Sequence, residues 1–182
     1  MKLCNKVTFI LASVLFIVSC ESGVNSVPEP EVGKLPSLIV ENFTTTMTDS
    51  GKTDLVLKSP VMEQYDNTDD PYIEFKKGIS VFFYDGFPEP QGTATSKYAR
   101  YDQKDDLWEL KDSVVVFNNK NEKLETELLY WDQKKDLVYT DRFVKLTEEK
   151  QISQGFGFES DSKLRIIKIK KLTSEIYIDE ED

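Results

Sequence analysis

One stretch of this chain occurs twice at a fixed spacing, and it limits the possible architecture more than any other feature. Tyr101-Asp-Gln-Lys-Asp-Asp-Leu107 returns thirty residues later as Trp131-Asp-Gln-Lys-Lys-Asp-Leu137, with five of seven positions identical and an aromatic residue opening each copy. A repeat of this size marks one supersecondary unit used more than once, its neighbours stacked to share a core. Each copy is a polar turn between two apolar, alternating runs, which is the pattern of a β-hairpin. The flanks agree. At the same offset Ala99 aligns with Leu129, Tyr101 with Trp131, Trp108 with Val138, Leu110 with Thr140, Val114 with Val144 and Val116 with Leu146, and eleven of these twelve are apolar or aromatic. The opposite face pairs Arg100 with Tyr130, Glu109 with Tyr139, Lys111 with Asp141, Ser113 with Phe143 and Val115 with Lys145, a mixed and largely polar set. Alternation kept through both copies turns one face inward throughout.

The rest of the chain reads the same way. Phe43 to Met62 predicts a hairpin, with β-branched residues at Thr44–Thr48 and a turn at Asp49-Ser50-Gly51-Lys52. Tyr72 to Tyr84 alternates through Ile73, Phe75, Ile79, Val81 and Phe83 around a turn at Lys76-Lys77-Gly78. Gly86, Pro88, Pro90 and Gly92 make the next segment a loop. Asn118-Asn119-Lys120-Asn121 is a turn of residues that tolerate left-handed backbone. Gly155 and Gly157, alternating with Phe156 and Phe158, predict a bulge or a close approach by another backbone. Leu164 to Leu172 predicts a last strand, its lysines a solvated or protected edge, and Asp179 to Asp182 is an acidic tail. The expectation is an all-β fold, with an antiparallel sandwich, barrel or open roll as its architectures.

Composition removes several functions. The chain has 23 Lys+Arg against 33 Asp+Glu, a net charge of −10, opposite to the basic footprint of a nucleic-acid binder. It contains no histidine, the commonest general base and zinc ligand. Cys4 and Cys20 both lie in the first twenty residues, so the folded part has no disulfide framework or thiolate metal site. No cofactor or metal is expected. A carboxylate enzyme would have to use residues such as Asp102, Asp106, Asp132 and Asp136, which read far better as turn charges.

The N-terminus reads as an export and anchoring signal. Lys2 and Lys6 precede an apolar run, Val7 to Val18, too short for a comfortable transmembrane helix. Ile17-Val18-Ser19-Cys20 fits a bacterial lipobox, in which the cysteine becomes the lipidated first residue of the mature chain. Cleavage there removes both signal lysines and takes the net charge from −10 to −12. The expected division is a lipoprotein signal over 1–19, a flexible tether over 20–40, a β domain over 41–174 and the acidic tail over 175–182. An acylated Cys20 would hold the domain at a membrane surface, outside the cytoplasm.

The inward face, with Phe83, Tyr101, Trp108 and Trp131, is either a packed core or an apolar groove able to hold acyl chains. The two segments taken as the ends of the β run, Tyr72–Tyr84 and Leu164–Leu172, are the expected edge strands, able to extend the sheet into another protein.

Met47-Thr-Asp-Ser-Gly51, Tyr65 and Phe75-Lys-Lys-Gly78-Ile79 resemble the first half of the LptC family, the periplasmic component of the lipopolysaccharide export machine. Ala99 to Val116, Leu124 to Val144 and Gly155-Phe-Gly-Phe-Glu-Ser-Asp161 resemble its second half, so the likeness covers about residues 40–172. The resemblance implies a twisted antiparallel β-jellyroll, an open roll of two sheets whose interior receives lipid A acyl chains. It implies partners: the LptB-LptF-LptG transporter at the inner membrane and an LptA-like bridge, joined jellyroll to jellyroll. The expected lipid-binding interior is Val81, Phe83, Ala99, Tyr101, Trp108, Leu110, Val114, Val116, Leu129, Trp131, Val138, Val144, Leu146 and Phe158. Gly51, Gly78, Gly155 and Gly157 are the family's expected glycines. The chain departs from better-known members in its anchor, a lipid on Cys20 in place of a transmembrane helix. Lys163, Arg165, Lys168, Lys170 and Lys171 are the dense basic cluster available to lipid phosphates. The second reading is a structural envelope lipoprotein with a fully packed core, scaffolding partners through its edges.

Overall fold

Alternating sequence becomes alternating strand almost without interruption. The computed structural model describes residues 35–84 and 86–177, and every regular element among them is a β-strand. In chain order these are β1 (Leu38–Asp49), β2 (Lys52–Tyr65), β3 (Tyr72–Phe75), β4 (Ile79–Phe83), β5 (Gly92–Ser96), β6 (Tyr98–Asp102), β7 (Leu107–Phe117), β8 (Lys123–Asp132), β9 (Leu137–Thr147), β10 (Gln151–Ser160) and β11 (Lys168–Tyr177). All pairings are antiparallel. β3 and β4 both pair with β2, and β5 and β6 both pair with β7. Each of those couples is therefore one long strand broken at a corner. The chain is a meander in which neighbours in sequence are neighbours in space.

The corners line up. Asn42 faces Pro60 across β1 and β2, and the break at Lys76–Gly78 faces Ser59–Pro60 on one side and Lys97 on the other. The irregularity continues through Asp112–Ser113, Glu127, Asp141–Arg142 and Gly157. This is a crease across the whole sheet, dividing it into two leaves that pack face to face through one core. The backbone is strained where it bends: Asn42, Asp112 and Ser113 have φ of 51°, 62° and 55°. Carbonyls freed by the bend still need donors. Buried hydroxyls supply them: Ser59 donates to the Gly78 carbonyl at 2.8 Å, Ser96 to that of Tyr98 at 2.8 Å and Thr126 to that of Phe143 at 2.9 Å. Short hydroxyl side chains fill the crease because they serve the backbone locally. At Gly78, with φ of 83°, a Cβ would lie 2.3 Å from the Ser96 carbonyl oxygen, so a side chain there would push two strands apart.

The repeated stretches form the β6–β7 and β8–β9 turns. Asp102 and Asp132 accept backbone N–H groups of their own turns, and Asp106 and Asp136 take left-handed backbone at φ of 58° and 50°. The two turns also touch, Gln133 N–H donating to the Asp106 carbonyl at 3.1 Å. The stacking of identical units is literal.

Three expectations are corrected. Tyr72–Tyr84 is not an edge: its strands lie between β2 and β5–β6, while β1 and β11 each have one neighbour among the described strands. The last strand is not Leu164–Leu172 but β11, from Lys168 to Tyr177. Asp161 gathers the preceding residues into a turn and Leu164 adopts φ of 53°. Strand also extends past both expected domain limits, beginning at Leu38 inside the supposed tether and ending at Tyr177 inside the supposed tail. Cys20, and with it the signal and most of the tether, lies outside the described residues. The fold itself is the expected all-β, antiparallel jellyroll.

Candidate functional site: an apolar slot between the leaves

The two leaves enclose both a packed core and a cavity. Beside the crease side chains from both leaves close on one another: Ala99, Val144 and Phe158 are fully buried and Val114 nearly so. Elsewhere between the leaves lies a cavity of about 330 Å³, within the range that holds small apolar ligands. Leu55, Leu57, Ile79, Val81, Phe83, Ala94 and Val116 line it from the first leaf, and Trp108, Leu110, Leu129, Trp131 and Val138 from the second. The outer rim is polar, with Asp54, Gln91, Asn118, Asn119, Gln133, Ser162, Lys163 and Arg165 at strand ends and loops. An apolar throat beneath a polar mouth has the shape of an amphiphile.

Aromatic contacts set the width of the slot. Phe83 meets Trp131 edge-on across the leaves, centroids 6.1 Å apart, while Trp108 is sandwiched between Phe75 at 5.8 Å and Tyr101 at 4.8 Å. The Tyr101 hydroxyl donates to Asp106 at 2.7 Å, and burial together with that carboxylate pushes its pKa up to about 12. Tyr101 therefore stays neutral and backs Trp108 from outside the cavity, held by its own turn.

Of the residues expected to face lipid, Val81, Phe83, Trp108, Leu110, Val116, Leu129, Trp131 and Val138 line the cavity. Ala99, Val114, Val144, Leu146 and Phe158 belong to the packed core, and Tyr101 packs against it. The slot also uses Leu55, Leu57, Ile79 and Ala94. The first two were legible as one strand face, and Ala94 as the apolar position between Thr93 and Thr95. Of the basic cluster only Lys163 and Arg165 reach the slot; Lys168, Lys170 and Lys171 lie on β11, where Lys170 pairs with Glu159 at 2.5 Å. Gly51 closes the β1–β2 turn. A Cβ on Gly155 would lie 2.3 Å from the Lys171 carbonyl oxygen, so β11 can lie against β10 only over a glycine. Gly157, at φ of 76°, forms the predicted bulge.

Of the four repeat aspartates, Asp102 and Asp132 cap turns, Asp106 accepts the Tyr101 hydroxyl and Asp136 accepts the Ser162 N–H at 3.2 Å. Among the described residues no group of three or more His, Cys, Asp or Glu could hold a metal ion.

Fold and site together define a class: β-jellyrolls with an apolar interior reachable from one end. The chain belongs to the LptC-related family of lipopolysaccharide assembly, whose model matches residues 7–177. No curated protein matches the chain. Membership assigns it a role in lipopolysaccharide transport, as a component of the export machinery on the periplasmic side of the inner membrane. The family is a transport component and not a known family of enzymes.

Proposed function

We propose that the slot holds acyl chains of lipopolysaccharide, received from an LptB-LptF-LptG transporter and passed to an LptA-like bridge of further jellyrolls. The observation that carries this reading is the apolar cavity itself, built from both leaves and open at the polar rim. A scaffold with a fully packed core has no use for such a space. Transfer needs no catalytic group, only an affinity high enough to accept a chain and low enough to release it. Eight methylenes kept from water contribute roughly 6 kcal/mol, at about 0.8 kcal/mol each, which suits a relay. The outer edges of β1 and β11, each with one neighbour among the described strands, support addition of a partner's strand. Acylated Cys20, with residues 1–19 as signal and the following residues as tether, completes the proposal by holding the domain at the inner membrane; mass spectrometry of the mature N-terminus tests that part.

Photo-crosslinking amino acids at Val116 and Leu129 are expected to capture lipopolysaccharide in cells, whereas Lys111 on the outer face and the packed Val144 are not. Adducts at Lys111 without adducts at Val116 or Leu129 would overturn the reading.

A further inference from the structure

A second concavity, a furrow of about 610 Å³, lies on the outward side of the crease across β1, β2, β4 and β5. Strand register builds its floor. Thr44 on β1 pairs with Lys58 on β2, Lys58 with Ser80 on β4, and Ser80 with Thr95 on β5. These residues alternate with the buried Leu57, Ile79 and Ala94, so they form one cross-strand row on the outer face of the first leaf. The corner adds Lys77 and Lys97, both exposed. Their backbones adjoin, since a Cβ on Gly78 would lie 3.1 Å from Lys97 Cα.

The charge of this furrow is opposite to that of the chain. The protein carries a net charge of −10, yet three lysines and no aspartate or glutamate line the furrow. Lys76, Lys104, Lys111, Lys123, Lys135 and Lys170 each lie within 2.8 Å of a carboxylate. Lys58, Lys77 and Lys97 pair with no carboxylate among the described residues, and Lys58 lies over the Phe82 ring at 5.4 Å. Asp112 and Glu127, the acids beside Ser113 at the end of the furrow, do not line it, and Glu127 accepts the Ser113 N–H at 3.3 Å. The hydroxyls divide in the same way. Those of the buried Ser59 and Ser96 are committed to carbonyls, whereas those of Thr44, Ser80 and Thr95 are bonded to no other described group. Like charges gathered in a concavity concentrate positive potential there and draw in an anion. Ammonium groups and hydroxyls are the donors that phosphate oxygens accept from.

We propose that the furrow is a binding site for a phosphate group, free in solution or carried on a lipid headgroup. Lys58, Lys77 and Lys97 supply the charge, and the hydroxyls of the row orient the oxygens. The site lies on the opposite face of the first leaf from the slot, and neither needs the other.

Amide NMR of the full-length chain in neutral detergent micelles tests this. Inorganic phosphate is expected to shift Gly78, Ser80 and Lys97 saturably, and sodium chloride at the same ionic strength is not. Lys77→Gln and Lys97→Gln change exposed side chains and are each expected to weaken phosphate binding about threefold; with Lys58→Gln added, the loss is expected to reach about thirtyfold. Doping the micelles with phosphatidylglycerol, against phosphatidylcholine as the control, separates the two sources. Shifts at the same amides with phosphatidylglycerol, lost in the triple variant, assign the headgroup; a response to inorganic phosphate alone assigns a free phosphate. The proposal is overturned if neither probe shifts these amides, if chloride shifts them equally, or if the triple variant binds as the wild type does. Phosphatidylglycerol shifts confined to Val116 and Leu129 would report the slot alone and likewise overturn the furrow.

Discussion

The same alternating sequence is packed in two ways. Val144 and Ala99 are fully enclosed, whereas Val116 and Ala94 face a cavity. Nothing in residue type separates the members of each pair, and each is buried in the ordinary sense. The difference is the strand that carries them: in the first leaf β2, β4, β5 and β7 face the cavity while β8 and β9 pack in the core, and in the second β7, β8 and β9 face it while β3, β6 and β10 do not. Stability and capacity are therefore held by different strands of the same two leaves, and substitutions should sort accordingly.

The strongest way to break that comparison is a buried charge. Val144→Asp places a carboxylate with no partner in the tightest part of the core, and a loss of more than about 4 kcal/mol is expected. Val116→Asp faces a cavity that opens on a polar rim, so it is expected to stay folded while losing lipid. Urea unfolding of the two variants is the check; equal midpoints would mean that core and cavity are energetically alike.

Enlarging an alanine sharpens the same contrast. Ala99→Leu overpacks a site with no free volume and is expected to cost about 1–3 kcal/mol. Ala94→Leu grows into the slot, leaves the unfolding midpoint unchanged or raised, and lowers fatty-acid binding. Thermal melts beside probe titrations give both quantities, and a destabilised Ala94→Leu would argue that the cavity is closed to side chains.

The two outer edges differ as well. Asn42 to Thr48 on β1 is an uncharged run of β-branched and apolar residues, whereas β11 carries Lys168, Lys170, Lys171 and Glu175. Charges, lysine above all, protect an edge from pairing. The β1 edge is therefore the more receptive one. Thr46→Lys is expected to weaken capture of a jellyroll partner about tenfold, roughly 1.4 kcal/mol, with Thr173→Lys nearly neutral. Pull-down against the proposed bridge protein and the proposed transporter reads this directly.

The repeat made the hairpins legible, since turn chemistry is local: the aspartates that recur are those that cap turns or bend left-handed. The inward face was legible too. The crease was not. In β7 the pattern passes from Leu110 to Val114, and in β9 from Thr140 to Val144, without a change of parity, so a bend of two residues leaves no mark on the alternation. Without the crease, which folds one leaf over the other, the sequence could not say which strands face each other, nor that Val116 lines a slot and Val144 a core. Leu164 misled for a related reason. Its alternation with Ile166 imitates a strand, and only the Asp161 carboxylate, acting over four and five residues, shows that the backbone turns there instead.

The smallest expected effect lies on the outside of the crease, where a clasp crosses the β3–β4 corner. Lys76 Nζ lies 2.5 Å from Glu63 and 2.7 Å from the Tyr65 hydroxyl, which itself donates to Glu63 at 2.6 Å. The Lys76 ammonium, and after it the Tyr65 hydroxyl, hold the Glu63 carboxyl below its ordinary value of 4.5, while Glu63 and Tyr65 raise Lys76. A carboxylate depressed in the folded state stabilises fully above its unfolded pKa, and that contribution fades as pH falls through the folded value. The raised Lys76 contributes in full below its ordinary value of 10.5 and lets go only above it. The clasp therefore holds through neutral pH and fails first in acid. Lys76 is about half exposed, so solvent screening keeps the contribution to roughly 1 kcal/mol or less. Glu63→Gln is expected to lower the urea midpoint slightly at pH 7, and the difference is expected to vanish as pH falls through the depressed value of Glu63, below which the carboxyl is protonated in folded and unfolded chains alike. A difference that stays unchanged however far the pH is lowered would mean that the carboxylate's shape, and not its charge, holds the corner.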